Sequence, residues 1–334
     1  MNLSQPLLCA WALTVFGVAA EPRKIVVIGQ SPDAIRELQS VSPLARLVPV
    51  TEQNLMREIV DADAIFGTVS PALIKAGKNL KWVQTYSAGV ETFRSDELLS
   101  SNIVLTNAKI IQGPNIADHA LALLLTMTRQ IDRAVLERTK EQWPRGGYDP
   151  IELRGKTAVI IGVGGIGTQI AVRAAAFGMR IIGVDPKDVP YVREIEKVVP
   201  PDRLDTVLPE ADVVFISAPD SPASRYLFGE KQFGLLKRGA YFICVSRGKL
   251  YRTEALVAAL RAGRLAGVGL DVTDPEPLPS GHALWKFPNV IITPHVAGQS
   301  DNVQTRRLAL LKENIRRFVA GEKLLNVVDK DKGY

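Results

Sequence analysis

Four side chains in the second half of the chain have the types and spacing needed for one reaction. Arg247, Asp271 and His295 each follow an apolar segment within two residues, and Glu276 lies five residues after Asp271. An arginine offers a forked set of donors for a carboxylate, and a histidine exchanges protons near neutral pH. A carboxylate beside the imidazole would orient it and favour its charged form. The set suits the reduction of a 2-oxo acid, in which a carboxylate is held and a carbonyl oxygen is protonated.

The apolar segments before these side chains predict the strands of parallel sheets. They alternate with helical and polar stretches, and parallel strands point their carboxyl ends at one crevice. Arg247, Asp271, Glu276 and His295 are therefore expected to converge. Each alone also fits a structural role, such as a surface ion pair or a solvated loop charge, and only the set favours catalysis. The predicted strands are 24–29, 64–67, 82–85, 104–107, 157–161, 179–184, 213–217, 241–245, 267–270 and 290–293.

Three stretches have helical patterns. Ser31 followed by Pro32 is typical of an N-cap and a first helical position. The stretch Ala117–Trp143 predicts one long helix, and its first half is apolar nearly all round, which indicates burial on several sides. A basic amphipathic helix is predicted over 302–320.

A glycine loop follows the strand predicted over 157–161. Gly162, Gly164 and Gly167 fit the pattern G-x-G-x-x-G, in which the glycines allow a tight turn, the approach of a pyrophosphate and close helix packing. The helix that follows would offer free N–H groups to phosphates. Asp185 ends the next strand, 18 residues after Gly167, where it can accept hydrogen bonds from a ribose. The loop predicts a dinucleotide site with a preference for NAD over NADP.

The first twenty residues form a separate segment. They carry no charged side chain, the run from Leu7 to Ala20 is apolar apart from Thr14 and Gly17, and small residues precede Glu21. The run is shorter than the ~20 residues of a membrane span. The segment predicts an export signal, cleaved before Glu21, and a periplasmic or secreted protein. The alternative is a retained tail on a cytoplasmic protein.

The amino-acid composition limits the classes of protein to which the chain can belong. The chain has 334 residues, of which 46% are hydrophobic and 23% charged, so about two globular domains are expected and a disordered chain is excluded. Lys and Arg exceed Asp and Glu by 41 − 35 = 6, without the basic runs of a nucleic-acid tail. The three histidines show no metal-ligand spacing, and Cys244 is the only cysteine after residue 20. We therefore expect no metal and, once residues 1–20 are cleaved, no intrachain disulfide.

Several segments together resemble the D-isomer-specific 2-hydroxyacid dehydrogenase family. The resemblance covers everything except residues 1–20. The matching segments are SAGV (87–90), ADHALALLL (117–125), LRGKT (153–157), LKRGA (236–240), VSRG (245–248), ALVAALRAGRL (255–265), LDV (270–272), EPLP (276–279), LW (284–285) and PNVIITPHVAG (288–298).

The resemblance implies a role for each candidate side chain. Arg247 would bind substrate, His295 would be the acid/base, Glu276 would pair with His295, and Asp271 would lie beside the nicotinamide carboxamide. The expected cofactor contacts are Gly162, Gly164, Gly165, Ile166, Gly167, Asp185, Ala218, Pro219, Val245, Ser246 and Asp271.

The resemblance also places the substrate. The backbone N–H groups of Ala88 and Gly89 would meet its carboxylate, and Tyr86 and Trp285 would line the pocket for the rest of it. Departures from the family pattern, among them Cys244 in place of a frequent Asn, leave the individual substrate open.

The expected fold is α/β, with two Rossmann-like doubly wound domains and a cleft between them. The nucleotide domain, 118–296, would be inserted in a substrate domain of 21–117 and 297–334. The expected function is NAD(H)-dependent interconversion of a 2-oxo acid and a D-2-hydroxy acid. The alternatives are a glyoxylate/hydroxypyruvate reductase and, from another class, a non-catalytic NAD-sensing module. A homodimer is expected through the helix from Ala117, with Trp143 reaching the partner's active-site mouth.

Overall fold

The computed structural model describes residues 21–90, 93 and 95–333. The predicted export signal, 1–20, lies outside the described residues. Within them, the chain forms two parallel sheets flanked by helices, as the sequence predicts. In the same ranges, no helix is both long and apolar enough to cross a bilayer, and no group of ligand side chains is arranged for a metal ion.

The first sheet has five strands in the order β2-β1-β3-β4-β5, all parallel. Apolar side chains on both faces of its central strands β1 and β3 are buried, which is why these two strands contain short apolar runs. The strands are β1 (Arg23–Ile28), β2 (Ala45–Val50), β3 (Ala64–Phe66), β4 (Trp82–Gln84) and β5 (Val104–Thr106).

The second sheet has seven strands in the order β12-β11-β10-β9-β6-β7-β8, again all parallel. The order reverses direction between β6 and β9, and ligands bind outside the carboxyl ends of strands at such a point. The strands are β6 (Thr157–Ile161), β7 (Arg180–Val184), β8 (Lys197–Val199), β9 (Val213–Ile216), β10 (Ala240–Cys244), β11 (Leu265–Leu270) and β12 (Val290–Ile292).

Helices cover both sheets. Ser31 caps α1 as predicted, because its side chain accepts a hydrogen bond from the N–H of Ala34 at 3.2 Å. The helices are α1 (Pro32–Gln39), α2 (Glu52–Glu58), α3 (Pro71–Ala76), α4 (Asp96–Leu99), α5 (Gly113–Thr128), α6 (Ile131–Thr139), α7 (Gly165–Ala176), α8 (Leu204–Val207), α9 (Glu230–Leu235), α10 (Thr253–Arg261) and α11 (Val303–Ala320).

The long helix expected over Ala117–Trp143 is two helices. Gln130 takes a left-handed backbone conformation, with φ of 54°, and separates α5 from α6. A left-handed residue cannot continue a right-handed helix. Helix α5 is buried within this chain, as its apolar sequence indicates, because it packs on α7 and on strands β10 and β11.

The last helix returns to the first sheet. Leu311 and Ile315 of α11 are buried in the same cluster as Phe66 and Trp82. Asn314, also fully buried, donates to the side chain of Gln84 at 3.1 Å. The C-terminal segment therefore completes the domain that the first strands begin.

Candidate active site

Three neighbouring strands bring the candidate residues to one edge of the second sheet. Cys244 at the end of β10 is in register with Leu270 of β11, and Leu270 is in register with Ile292 of β12. The loops carrying Arg247, Asp271 and His295 therefore leave the sheet at the same level. The strand ends thus bring together the side chains that the sequence singles out.

His295 and Glu276 are in direct contact. Nδ1 of His295 lies 2.7 Å from Oε1 of Glu276, and both side chains remain partly open to solvent, with 45% and 40% exposed. The carboxylate binds the imidazole through one nitrogen, so Nε2 is the atom free to exchange a proton with a substrate. His295 has a left-handed φ of 55°, a conformation costing of order 1 kcal/mol, so the loop holds it in place.

Asp271 holds the loop that carries His295. Its carboxylate is buried and accepts hydrogen bonds from the hydroxyl of Thr293 at 2.6 Å and from the N–H groups of Val296 and Ala297 at 3.0 and 2.9 Å. These donors flank His295 on both sides. Asp271 therefore fixes the backbone from which the imidazole projects, and its expected place beside the carboxamide stays a prediction.

His119 of α5 extends the same network. Its Nε2 lies 2.8 Å from the hydroxyl of Thr293 and 3.5 Å from Asp271. Because the Thr293 hydroxyl donates its proton to Asp271, His119 donates to Thr293 through Nε2. The sequence predicts a structural role for His119, and in the structure it supports the loop that carries His295. Thr293 was missed, although it lies two residues before His295.

Arg247 follows β10, where its Nη1 donates to the carbonyl of Ser246 at 2.6 Å. Cys244 lies beneath it, with its thiol donating to the carbonyl oxygen of Arg247 at 3.5 Å. Complete burial raises the pKa of the Cys244 thiol to about 12, so it stays protonated and serves as a donor. A cysteine thus supports the arginine loop at the position where the family pattern often has Asn.

The segment Ser87–Gly89 faces the cleft from the first sheet. It is held from behind, because the side chain of Asn107 donates to the carbonyl of Ala88 at 2.6 Å and the N–H of Ala108 donates to the carbonyl of Ser87 at 2.9 Å. Among the described residues, no acceptor takes the N–H groups of Ala88 and Gly89. These amides are the type of donor that binds a carboxylate.

The glycine loop forms a close-packed turn between β6 and α7. A Cβ at Gly167 would lie 1.9 Å from the carbonyl oxygen of Gly162, so only glycine fits there. Gly162 has a φ of 90° and lies against the backbone of Ala218. Nothing lies within 4 Å of the position where Gly164 would carry a Cβ. The loop is therefore tight on its inner side and open on the outer side.

Asp185 closes this loop from the end of β7. One of its oxygens accepts from the N–H of Val163 at 2.8 Å, and the other accepts from the N–H of Lys187 at 2.9 Å. Each carboxylate oxygen has a further lone pair, so both can still accept from ribose hydroxyls. Pro219 follows β9, and Val245 and Ser246 follow β10; both strands lie on the other side of β6 from β7.

The segment between β5 and α5 ties the two sheets together. Ile110 has a left-handed φ of 81° and packs against the backbone of Gly165. Gln112 donates to the carbonyl of Gly298 at 3.2 Å, and Arg306 of α11 donates to the carbonyl of Ile111 at 2.6 Å. The two segments that connect the sheets, residues 107–112 and 293–302, therefore contact each other beside the cleft.

Trp285 lies at the protein surface rather than in an enclosed pocket. It belongs to the short 3-10 turn Ala283–Lys286, its indole N–H donates to the carbonyl of Pro279 at 3.0 Å, and 52% of it is exposed. Its expected contact with the substrate stays a prediction.

Comparison with known proteins agrees with this site. Residues 121–297 match the profile of the "D-isomer specific 2-hydroxyacid dehydrogenase, NAD binding domain". The chain is 32% identical over 295 residues to a glyoxylate reductase of Thermofilum pendens, covering 85% of this chain and 86% of that one.

This chain belongs to the D-isomer specific 2-hydroxyacid dehydrogenase family.

Two further relatives show the range of this family. The dehydrogenase is also 32% identical to a D-3-phosphoglycerate dehydrogenase of Methanocaldococcus jannaschii, over 89% of its own length but only 57% of that protein. A D-isomer specific 2-hydroxyacid dehydrogenase from Xanthobacter autotrophicus Py2, solved in complex with NADPH and MES, shares 26% identity with a TM-score of 0.80. That likeness covers 94% of this chain and all of the other. The predicted family and fold class are confirmed.

The nucleotide loop fits the cofactor of the family. It combines a glycine turn that excludes any Cβ on its inner side with an open outer face at the N-terminus of α7. Residues 162–167 would hold the pyrophosphate and Asp185 the adenosine ribose. The dehydrogenase is an NAD-dependent oxidoreductase acting on 2-hydroxy and 2-oxo acids.

Proposed function

We propose that this dehydrogenase interconverts a 2-oxo acid and a D-2-hydroxy acid, and that His295 is its acid/base. The observation that carries the assignment is the contact of 2.7 Å between His295 Nδ1 and Glu276 Oε1. It gives the imidazole a fixed orientation and a partner for its positive charge, with Nε2 available to the substrate.

The other residues hold the substrate. Arg247 and the N–H groups of Ala88 and Gly89 bind the carboxylate and polarise the carbonyl group beside it. The nicotinamide supplies the hydride in reduction and accepts it in oxidation. His295 delivers a proton to the carbonyl oxygen in reduction, and Glu276 stabilises the imidazolium before that transfer.

Glyoxylate and hydroxypyruvate are the first substrates to test. The Thermofilum pendens relative is named a glyoxylate reductase and matches this chain over most of both lengths. Incubation of the purified chain with NADH and each 2-oxo acid, followed by absorbance at 340 nm, tests the proposal. NADH should be consumed with at least one 2-oxo acid, and His295→Ala should abolish most of that consumption. Binding of NADH without turnover of any 2-oxo acid would instead indicate an NAD-sensing module.

We propose NAD rather than NADP as the cofactor. Asp185 occupies the end of β7, where a 2′-phosphate would meet a carboxylate of like charge. The Xanthobacter autotrophicus relative was solved with NADPH, so the preference has to be measured on this chain.

We infer a homodimer through α6 and the segment after it. The dimer interface was expected at helix α5, but α5 is buried inside this chain. We therefore assign the interface to the neighbouring helix, α6. Ile131, Val135 and Leu136 of α6 are 49–63% exposed, and Trp143 is 90% exposed. A second copy would cover these apolar side chains.

Export is proposed on sequence grounds. The uncharged apolar segment that ends at Ala20 motivates a mature chain beginning at Glu21. The intact mass of protein isolated from its native host tests this, and a mass corresponding to residues 1–334 would reject it.

A further inference from the structure

A second arginine of interest lies beside the first sheet, whereas Arg247 follows a strand of the second sheet. Arg307 is on the second turn of α11, and its guanidinium carbon is 5.6 Å from the ring centre of Tyr86. Tyr86 directly precedes the segment Ser87–Gly89 that faces the substrate. Arg307 therefore lies behind the same loop that presents the amides of Ala88 and Gly89.

Polar contacts fix the position of this arginine. Its Nη1 donates to the side chain of Gln304 at 2.7 Å, and Gln304 donates to the side chain of Gln30 at 3.1 Å. The hydroxyl of Tyr86 donates to the carbonyl of Ile28 at 3.0 Å. Burial raises the pKa of Tyr86 to about 12, so the phenol stays neutral beside the cation.

These groups lie at the carboxyl edge of the first sheet. Gln30 follows β1, Tyr86 follows β4, and α11 begins eight residues after His295. The carboxyl ends of parallel strands face the ligand crevice. The cluster of Gln30, Tyr86, Gln304 and Arg307 thus lies next to both the substrate loop and the catalytic histidine loop.

Unlike Arg316 and Arg317 of the same helix, Arg307 has no acidic partner among the described residues. Arg316 and Arg317 both pair with Glu313, at 3.0 and 2.7 Å. Within the ranges that the structure describes, no carboxylate lies within 4 Å of Arg307, and its buried Nε has no hydrogen-bond acceptor. The positive charge of Arg307 is therefore not balanced by a carboxylate among the described residues, and an anionic ligand at its terminal Nη groups would balance it.

We propose that Arg307 binds a second anionic group of the substrate, at the end remote from the 2-oxo acid carboxylate. The preferred substrates are then dianionic 2-oxo acids, with a distal carboxylate or phosphate stacked beside Tyr86. The inference rests on the proposed function, because it adds a specificity contact to that substrate site.

The test compares acids of matched length that differ in the distal charge. The kcat/KM with NADH is measured for 2-oxoglutarate against 2-oxopentanoate and for 3-phosphohydroxypyruvate against hydroxypyruvate. In the wild type, kcat/KM for at least one charged acid should be tenfold or more above kcat/KM for its uncharged partner. The pair with the larger ratio identifies carboxylate or phosphate as the distal group.

Variants show whether Arg307 causes the discrimination. Arg307→Gln should lower the ratio of kcat/KM for the charged acid to kcat/KM for its uncharged partner at least tenfold, mainly by raising KM for the charged acid. Arg307→Lys keeps the charge without the fork, so its ratio should be intermediate, and it also provides a test if the Gln variant fails to fold. Arg316→Gln removes a charge from the same helix far from the cluster and should keep the wild-type ratio.

Two results would overturn the inference. One is a wild type that reduces the uncharged acids but prefers no charged one, which leaves the proposed function intact. The other is an equal ratio in the wild type and Arg307→Gln, which would leave the arginine a packing role only. Failure to reduce any 2-oxo acid would overturn the proposed function, and this inference with it.

Discussion

His295 and Glu276 form the contact to which we assign proton transfer in the proposed function. Substitution of His295 by Ala removes the acid/base and should lower kcat by about 10²–10⁴-fold. Glu276→Gln keeps a hydrogen-bond partner for Nδ1 but loses the charge that stabilises the imidazolium. This variant should retain more activity, with the pH optimum for reduction moved downward, because more acid is then needed to protonate His295. Steady-state rates between pH 5 and 9 measure both effects.

His282 provides the matched control for this pair. It is the N-cap of the turn Ala283–Lys286, where its Nδ1 accepts from the N–H of Leu284 at 3.2 Å. His282→Asn should therefore keep the wild-type pH profile. Wild-type activity in His295→Ala would remove this histidine from the mechanism.

Asp185 is the residue that we propose to set the choice between NADH and NADPH. A carboxylate beside the adenosine ribose repels a 2′-phosphate, so kcat/KM should favour NADH over NADPH at least tenfold, or ~1.4 kcal/mol. Asp185→Ala should narrow this gap in kcat/KM between NADH and NADPH, mostly by raising kcat/KM for NADPH. Asp188→Ala, which removes a charge from the same loop, should leave the gap unchanged. Equal use of both cofactors by the wild type would show that Asp185 does not face the ribose.

At the scale of elements, the loop between β12 and α11 depends on Asp271. Asp271→Asn replaces one accepting oxygen by an NH₂ group that faces N–H or O–H donors. We expect a destabilisation of about 2–3 kcal/mol and a fall in kcat of at least tenfold. Thermal unfolding and rates with a 2-oxo acid measure these effects.

The same variant also tests the expected contact of Asp271 with the cofactor. Loss of loop positioning lowers kcat, whereas loss of a carboxamide contact raises KM for NADH as well. Thr293→Val removes only the hydroxyl from the network and should give a smaller change in both stability and kcat. Full activity in Asp271→Asn would contradict the positioning role.

Elements buried on both faces were the ones that the sequence predicted well. The continuous apolar runs of β6, β9 and β10 have no polar interruption, and parallel sheets require this pattern. Two of the four edge strands, β2 and β8, were missed, whereas the edge strands β5 and β12 were predicted. Strand β2 contains Arg46 and Pro49, and the side chains of β8 are mostly exposed, so neither strand has the apolar run of a buried strand.

The side chains of the site were predictable where the chemistry follows from residue type at a strand end. His295 and Glu276 meet as expected. The network of Asp271, Thr293 and His119 was not predictable, because it joins residues up to 174 positions apart through packing of α5 on the second sheet. A threonine before a catalytic histidine carries no signal of its own.

At the scale of the whole molecule, the exposed apolar side chains of α6 predict a dimer. Light scattering at micromolar concentration should give twice the chain mass. Leu136→Glu places a charge in the proposed interface and should give monomers, whereas Met56→Glu, on the exposed face of α2, should not. A monomer mass for the wild type would exclude the dimer.

The most direct test of the account is the enantiomer that the enzyme oxidises. Purified chain is mixed with NAD and with the D or the L form of one 2-hydroxy acid that the reduction assay has shown to be a product, and absorbance at 340 nm is followed. The account predicts NADH formation with the D form, none with the L form, and loss of the D signal in His295→Ala. Oxidation of the L form, or an undiminished D signal in His295→Ala, would contradict it.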